Sequence, residues 1–309
     1  MEELSCMKKL IFPLTSKIHW ARNQLLLKEL RKYFKVYLAT YGDKDMSMSD
    51  VAVDITLKFR KALEEIKPDL VLIRADRYEL LPCAMLSAYN QIPTVQLEAG
   101  DLSGVIDNKV RFAISHLSDY HFVTNQDSEK RLTNMGFKNV WNFGSLDVEY
   151  SESIKAPTKR AKPYIVVMYH PVPNEPYNAV SEATERFKDR FDIIGIKSNH
   201  DYGKSMYQEY YSPEKFIELL KGASCVVGNS SALIKECSRL KIGVVNVGDR
   251  QANRLKAENV RDCPCNKESI EESIEYQLSH SYEPSDIYYQ PETSVKIASV
   301  IYSLTSLVL

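Results

Sequence analysis

The chain alternates short apolar runs with segments of helical period, and this alternation constrains its fold more than any other feature. The apolar runs of the first half lie between turn residues at 9–13, 34–39, 69–73, 94–97, 120–123 and 140–143. Apolar residues at helical spacing lie between several of them, for example at 24–32 and 55–66. Strands that alternate with helices predict an α/β protein whose parallel sheet is covered by helices on both faces.

The same alternation restarts in the second half. A polar stretch with two prolines at 151–163, SESIKAPTKRAKP, has the composition of a linker, and new apolar runs follow it at 164–169, 191–196, 224–228 and 243–247. At 309 residues, the chain is also longer than one hydrophobic core usually supports. We therefore predict two domains, at 1–155 and 156–290, and a terminal helix at 291–309 whose apolar residues pack on a core.

Composition and charge exclude several classes of partner. The formal net charge of −1 provides no field that would attract nucleic acid or an anionic membrane, so an anionic ligand must be bound by a local cluster. No apolar run approaches the roughly 18 residues that cross a bilayer, and the acidic start lacks the apolar segment of a signal peptide. Six cysteines are too sparse for a disulfide framework in a chain of this length. We expect a cytoplasmic protein with no nucleic-acid or membrane partner.

Polar residues follow the predicted strands, where ligands bind in open parallel sheets. In the first half, Arg74 and Asp76 follow one apolar run, and Glu98 and Asp107 follow the next. In the second half, the residues that follow the runs are His170, Asn199, Gly228, Asn229, Ser230, Ser231 and Arg250. This distribution suits a ligand that binds between two facing sheets, although strand ends are also the ordinary place for polar residues.

The residue types suit phosphate binding and proton transfer. The motif GNSS at 228–231 opens a helical stretch, so the hydroxyls of Ser230 and Ser231 and the first-turn N–H groups can bind a phosphate. Ordinary helix capping explains the motif equally well. In a closed cleft, Asp76, Glu98 and Asp107 can transfer protons near neutrality, whereas singly each can also serve as a cap or an ion-pair partner.

Two further residues have both a functional and an ordinary interpretation. His170 follows a strand and precedes a proline, so its ring can donate to a phosphate oxygen, but a lone loop histidine is commonly just hydrogen-bonded. Glu236 lies in the helical stretch after GNSS, on a side that can reach a ligand, but a surface glutamate is the ordinary alternative.

Two long segments resemble the hydrolysing UDP-N-acetylglucosamine 2-epimerases of sialic-acid pathways. They are PDLVLIRADRYELLPCAMLSAYNQIPTVQLEAGDLSGVIDNKVRFAISHLSDYHFV from residue 68 and VVGNSSALIKECSRLKIGVVNVGDRQANRLKAENV from residue 226. The motifs LEAG, SGVIDNKVR, HP, GNSS and GDRQ occur in the order and spacing of that family. The resemblance implies two facing Rossmann-like domains of the GT-B type, with the C-terminal helix crossing back to the first domain.

The resemblance also implies a two-step reaction on UDP-N-acetylglucosamine. A base removes the proton on C2 while UDP leaves from C1, which gives 2-acetamidoglucal. Water then adds at C1 and a proton returns to the opposite face of C2, which releases N-acetylmannosamine and UDP. The reaction requires no metal and no cofactor, and proteins of this family are commonly homodimers.

The resemblance assigns roles to particular residues. Asp76, Glu98 and Asp107 become the proton-transfer carboxylates, and His170 stabilises the departing diphosphate. Glu236 accepts hydrogen bonds from both ribose hydroxyls. The remaining predicted substrate-binding residues, many of them cationic, are Lys17, Arg22, Arg74, Arg111, Asn199, Gly228, Asn229, Ser230, Ser231, Arg250 and Arg254.

Departures from the family pattern leave alternatives open. Arg74 and Ala75 stand where the family has His-Gly, Lys17 and Arg22 interchange an arginine and a lysine, and the segment between 42 and 67 is short. One alternative is an epimerase for another 2-acetamido sugar nucleotide, such as a UDP-diacetamido-trideoxy sugar, or one that does not hydrolyse its product. Others are a GT-B glycosyltransferase and an inactive nucleotide-sugar-binding protein.

Overall fold

The computed structural model describes residues 7–15, 17–41, 46–74, 77–103, 107–158, 160–173, 175–176, 178–197, 207 and 209–307, without the side chains at 17–19, 107 and 307. The chain divides into two compact units, Met1–Leu146 with Gln290–Leu309, and Asp147–Tyr289. The polar stretch at 151–163, on which the predicted boundary at 155/156 rests, lies inside the second unit. The division falls earlier because Val148 and Tyr150 already pack in cores of that unit.

In the described part of the chain, eleven strands form two sheets, and every pair of neighbouring strands is parallel. The strands are β1 (Lys9–Leu14), β2 (Lys35–Thr40), β3 (Leu70–Arg74), β4 (Thr94–Leu97), β5 (Tyr120–Val123), β6 (Val140–Asn142), β7 (Tyr164–Met168), β8 (Asp192–Gly195), β9 (Cys225–Gly228), β10 (Val244–Val247) and β11 (Val260–Cys263). The first unit has the order β2-β1-β3-β4-β5-β6, and the second has β11-β10-β9-β7-β8.

Helices connect the strands along the chain. They are α1 (Lys17–Arg22), α2 (Gln24–Leu30), α3 (Met48–Ile66), α4 (Leu81–Tyr89), α5 (Asp107–Leu117), α6 (Gln126–Asn134), α7 (Leu146–Ser153), α8 (Ala179–Glu185), α9 (Pro213–Gly222), α10 (Ser231–Leu240), α11 (Lys267–Ser279) and α12 (Thr293–Leu307). A short 3-10 helix at Tyr78–Leu80 precedes α4. No helix in the described part of the chain is both long and apolar enough to cross a membrane.

Each sheet is buried on both faces, which explains the continuous apolar runs of the central strands. Every residue of β3 and β4 is buried. In the first unit, α2 and α12 cover one face, and α3, α4 and α5 cover the other. In the second unit, α9 and α10 cover one face, and α8 and α11 the other. The terminal helix α12 thus packs on the core of the first unit.

Helix α3 shows how local sequence sets these elements. The hydroxyl of Ser47 accepts a hydrogen bond from the N–H of Asp50 at 3.2 Å, which caps the first turn. Lys67 follows the last helical residue, Ile66, and terminates the helix in the left-handed conformation with φ of 52°. Its buried side chains recur every four residues from Val51 to Leu63 and face the sheet as one apolar stripe.

Both sheets contain a point at which the direction of strand addition reverses. The chain adds β2 on one side of β1 and β3 on the other. It likewise adds β8 on one side of β7 and β9 on the other. Ligands of open parallel sheets bind beyond the carboxyl ends of the strands at such a point. The ends of β1 and β3 in the first unit, and of β7 and β9 in the second, are therefore the places to look for function.

Candidate functional site

In the first unit, an ion pair lies at the ends of β3 and β4, beside the switch point. Arg74 ends β3, and Glu98 follows the neighbouring strand β4. Nε of Arg74 donates to Oε1 of Glu98 at 3.0 Å, and Nη2 donates to the same oxygen at 2.5 Å. The two side chains are only 7% and 16% exposed. Two of the sequence-predicted site residues are thus brought together, 24 positions apart in the chain.

The same guanidinium also contacts the segment that follows β1. Nη1 of Arg74 donates to Oδ1 of Asn23 at 3.1 Å. Asn23 lies between α1 and α2 and is completely buried. Lys17 and Arg22 begin and end α1, and Arg22 is half-buried. No role for Asn23 was predicted from the sequence, although its position next to Arg22, a predicted substrate-binding residue, was a usable signal.

The backbone of Glu98 has an unusual conformation. Its φ is 57°, in the left-handed region that residues other than glycine seldom adopt. The next residue, Ala99, donates its N–H to Phe122 O at 3.1 Å, so the chain after Glu98 is anchored to the neighbouring strand β5. Strained backbone of this kind persists where surrounding contacts fix it, and it is concentrated at functional sites.

The side chain of Arg111 is buried and donates hydrogen bonds inside the protein. It is 1% exposed, and its Nη1 donates to the carbonyl of Asp101 at 2.6 Å and to Oδ1 of Asn108 at 3.1 Å. The contacts shown for its guanidinium therefore support the loop that leads to α5, whereas the sequence predicted contacts with substrate. Asp107 is the first residue of α5, and its side chain lies outside the described part of the chain.

The carboxylate of Asp101 is a second buried anchor of that loop. Its Oδ1 accepts hydrogen bonds from Nδ2 of Asn125 and from the hydroxyl of Ser128, both at 3.0 Å. These partners cap and begin α6. No site role for Asp101 was predicted from the sequence. Two of the predicted site residues, Asp76 and Asn199, lie outside the described residues.

In the second unit, Asn229 clamps the main chain of His170 across the switch point. The N–H of His170 donates to Oδ1 of Asn229 at 2.7 Å, and Nδ2 of Asn229 donates to the carbonyl of His170 at 2.8 Å. Asn229 is completely buried. Its side chain therefore holds the loop after β7, although the sequence predicted that it binds substrate.

Residues after β10 extend this clamp. Arg250 Nη1 and Gln251 Nε2 both donate to the carbonyl of Asn229 at 3.0 Å. Arg254, which is 7% exposed, donates through Nε to Oε1 of Gln251 at 2.9 Å. The predicted cations Arg250 and Arg254 are therefore brought to the His170 region. Gln251 was missed, although it stands in the GDRQ motif beside Arg250.

The start of α10 has the features of an anion site. Ser230 occupies the N-cap position, but its side chain makes no capping hydrogen bond to the helix. Ser230 is 6% exposed, and Ser231 is the first helical residue. Helix capping by the Ser230 side chain therefore does not explain the GNSS motif. Unpaired N–H groups and the helix dipole make such a terminus suitable for phosphate.

Gly228 is required by the packing of β9 against β7. Its φ is 154°, and a Cβ added there would lie 1.9 Å from the carbonyl oxygen of Met168. Any side chain would thus strike backbone of the adjacent strand. Gly228 shapes the strand end from which the GNSS segment starts.

Glu236 and His170 are both removed from water. Glu236 is completely buried in α10, so the surface position that is ordinary for a helical glutamate does not apply. Burial, and to a smaller extent the positive charge of Arg250, lowers the pKa of His170 to about 3. At neutral pH its imidazole is uncharged and carries one N–H, which can donate to an anionic oxygen without an added positive charge.

Comparison with known proteins identifies the relatives of this chain. A family model described as UDP-N-acetylglucosamine 2-epimerase matches residues 23–302. A GDP/UDP-N,N'-diacetylbacillosamine 2-epimerase (hydrolyzing) of Campylobacter jejuni is 29% identical over 78% of this chain and 73% of its own length. A UDP-N,N'-diacetylbacillosamine 2-epimerase (hydrolyzing) of Legionella pneumophila is 32% identical over 69% of this chain and 65% of its own. The chain therefore spans about two thirds to three quarters of these two relatives.

Solved structures agree on the fold. The crystal structure of a UDP-GlcNAc 2-epimerase from Neisseria meningitidis bound to UDP-GlcNAc superposes with a TM-score of 0.77 at 15% identity, and covers 96% of this chain and 100% of that one. Two Rossmann-like units with a terminal helix that returns to the first define a GT-B-type α/β protein, which confirms the predicted fold class. Together with the family match, these features show that the chain belongs to the UDP-N-acetylglucosamine 2-epimerase family, as its motifs predicted.

Proposed function

We propose that this chain is a hydrolysing 2-epimerase that converts UDP-N-acetylglucosamine and water to N-acetylmannosamine and UDP. The observation that carries this proposal is the placement of Glu98 and His170, each held by a buried hydrogen-bonded partner at the strand ends beside the switch point of its unit. Family membership over residues 23–302 supports the reaction class.

The first step is an elimination. A carboxylate takes the proton from C2, the C2–H electron pair forms the C1=C2 double bond, and the C1–O bond breaks so that UDP leaves with its electron pair. A sugar C2–H is barely acidic, so stabilisation of the leaving diphosphate has to lower the same barrier. The N–H of neutral His170, the start of α10 at Ser230 and Ser231, and the cation Arg250 are suited to that task.

The second step is a hydration of 2-acetamidoglucal. The oxygen of water bonds to C1 while the water gives one proton to a carboxylate, and the C1=C2 electron pair takes a proton from a protonated carboxyl on the face of C2 opposite to the first abstraction. Asp76, Glu98 and Asp107 supply the two proton-transfer roles. Glu236, buried in the second unit, accepts hydrogen bonds from the ribose hydroxyls.

A second candidate substrate has its own support. Both relatives named above are described as acting on N,N'-diacetylbacillosamine nucleotides. The same elimination and hydration apply to that sugar, because the acetamido group at C2 and the UDP at C1 are shared. The two substrates differ at C4 and C6, which do not take part in the reaction.

One assay separates these functions. The purified chain is incubated in deuterated water with UDP-N-acetylglucosamine, and in parallel with UDP-N,N'-diacetylbacillosamine, while both products are followed by NMR. We expect free N-acetylmannosamine with deuterium at C2, together with UDP. Formation of UDP-N-acetylmannosamine indicates a non-hydrolysing epimerase, and binding of UDP without turnover indicates an inactive binding protein. Turnover of the second sugar nucleotide alone assigns that substrate.

A single substitution tests the role of Glu98. Glu98→Gln keeps the shape of the side chain but removes its basicity, so we expect C2 exchange to fall by at least about 100-fold. The affinity for UDP, measured by calorimetry, should change by less than about threefold because UDP recognition is assigned to the second unit. Glu64→Gln, at an exposed position of α3, is the matched control. A large loss of UDP binding in Glu98→Gln contradicts the assigned role.

A further inference from the structure

Arg74 lies at the centre of a buried chain of hydrogen bonds that runs from the α1–α2 junction to Glu98. Its Nη1 donates to Asn23, and its Nε and Nη2 donate to a single carboxylate oxygen of Glu98. All three nitrogens of the guanidinium thus have acceptors. Arg74 is 7% exposed, so water and salt screen this interaction weakly.

We propose that Arg74 is a positioning residue for proton transfer: it holds the carboxylate of Glu98 in one orientation and is itself held by Asn23. This inference deepens the proposed function and rests on it, because it requires that Glu98 transfers a proton. Nothing in the proposal needs Arg74 to touch the substrate. Arg74 acts through the carboxylate of Glu98, with which it is paired.

The conformation of Glu98 gives a reason for such a partner. A left-handed φ of 57° is unfavourable for glutamate, so this backbone is maintained only by contacts on either side of it. On one side the N–H of Ala99 donates to Phe122 O in β5, and on the other the Glu98 side chain forms an ion pair with Arg74. Together they fix both the backbone and the carboxylate. A base that acts on a weakly acidic C–H gains from such pre-organisation.

Asn23 shows that the arrangement is built around the guanidinium. It stands at the N-cap of α2, a position where an asparagine side chain usually accepts a hydrogen bond from the helix. Its side chain makes no capping hydrogen bond, and its Oδ1 accepts from Arg74 instead. A lysine at 74 cannot reproduce this geometry, because an ammonium lacks the planar fork that reaches two acceptors at fixed angles.

The test compares Arg74→Ala and Arg74→Lys with the unmodified chain in the deuterium-exchange assay. For Arg74→Ala we expect kcat to fall by about 100-fold, as for misplacement of a catalytic acid or base, while KM changes by less than about threefold. The acidic limb of the kcat/KM profile should move to higher pH by about one unit, because the paired positive charge is lost. Arg74→Lys should restore the position of that limb but only part of kcat.

Two further measurements keep the result interpretable. Ethylguanidinium added to Arg74→Ala should restore activity at least about tenfold, since it returns the guanidinium without the tether. Arg190→Met is the matched control, because two nitrogens of Arg190 also donate to one glutamate, Glu275. Arg190 lies just before β8, at the amino-terminal end of the second sheet. We expect that variant to keep the activity and pH profile of the unmodified chain.

The outcomes separate this inference from the function on which it rests. If Arg74→Ala has the circular dichroism spectrum, UDP affinity, kcat and pH profile of the unmodified chain, Arg74 does not position Glu98. If Arg74→Ala does not fold, full kcat in Arg74→Lys contradicts the inference equally, because a lysine cannot hold Glu98 in the same geometry. If the unmodified chain converts neither sugar nucleotide, the proposed function fails and the role of Arg74 falls with it.

Discussion

Asn229 illustrates how a single buried amide can hold together the loops of a candidate site. Both polar atoms of its side chain bind the main chain of His170, and its own carbonyl accepts from Arg250 and Gln251. The side chain therefore fixes the loop after β7 to the loop after β9. Only an amide offers a donor and an acceptor side by side in this geometry.

Substitution of Asn229 tests this role. Asn229→Ala leaves the buried N–H and carbonyl of His170 without these partners, which should lower the free energy of unfolding by about 1–3 kcal/mol. Activity should fall by about tenfold or more, because His170 is no longer held in one place. Urea unfolding and steady-state kinetics measure the two effects.

Asn90→Ala is a suitable control for Asn229→Ala. Asn90 also uses its amide on a carbonyl, that of Leu86 at 2.7 Å, but at an exposed helix end. We expect that change to cost less than about 1 kcal/mol and to leave activity intact. Equal losses of stability in both variants are not compatible with a special role of the buried amide.

At the scale of elements, the contact between β7 and β9 depends on one glycine. A methyl group at Gly228 would lie 1.9 Å from the oxygen and 2.6 Å from the carbon of the Met168 carbonyl. Both atoms belong to backbone, so no change of rotamer relieves the clash. The two central strands of the second sheet would have to separate.

Gly228→Ala should therefore destabilise the second unit by at least about 2 kcal/mol. Gly136→Ala separates this packing effect from backbone strain, because Gly136 also has a positive φ, 94°, but nothing lies within 4 Å of an added Cβ. We expect about 1–2 kcal/mol for Gly136→Ala, from strain alone. Guanidinium unfolding, followed by circular dichroism, measures the free energy of unfolding of both variants. A loss in Gly228→Ala no greater than in Gly136→Ala contradicts the packing argument.

The sequence predicted most elements because apolar runs and turn residues mark them directly. The strands at 94–97 and 120–123 have the predicted bounds, and the other predicted strands differ by one residue at one or both ends. The strand β11, at Val260–Cys263, was missed. Its sequence VRDC places two charged residues between two apolar ones, so it is neither an apolar run nor an alternating pattern, and this edge strand is recognisable only through its pairing with β10.

The candidate site was predictable in position but not in its internal contacts. The rule that ligands bind at the ends of parallel strands selects Glu98 and His170 from the sequence. The pairing of Arg74 with Glu98, and with Asn23 51 positions away, depends on the order of β1, β3 and β4. Spacing along the chain does not give that order, so these contacts could not be predicted.

At the scale of the whole molecule, each unit contains a deeply buried histidine. Burial, and to a smaller extent the charge of His116, lowers the pKa of His121 in the first unit to about 4. Burial, and to a smaller extent Arg250, lowers the pKa of His170 in the second unit to about 3. Both rings are neutral in the folded protein at a pH where an unfolded histidine already binds a proton.

Both units should therefore lose stability in mild acid. Between pH 6.5 and the lowered pKa, the unfolded chain binds more protons than the folded one, so the free energy of unfolding is fully retained above pH 6.5 and falls as the pH decreases. Each histidine contributes a slope of up to about 1.4 kcal/mol per pH unit in that window. His121→Gln and His170→Gln should each flatten the pH dependence of urea unfolding between about pH 6 and 4.5.

Both tryptophans, Trp20 and Trp141, lie in the first unit, so their fluorescence reports on His121→Gln while circular dichroism reports on both units. Because the two histidines lie in separate units, their effects should add in the double variant. An unchanged slope in either single variant would show that the corresponding histidine is protonated in the folded protein and that its burial does not govern acid stability.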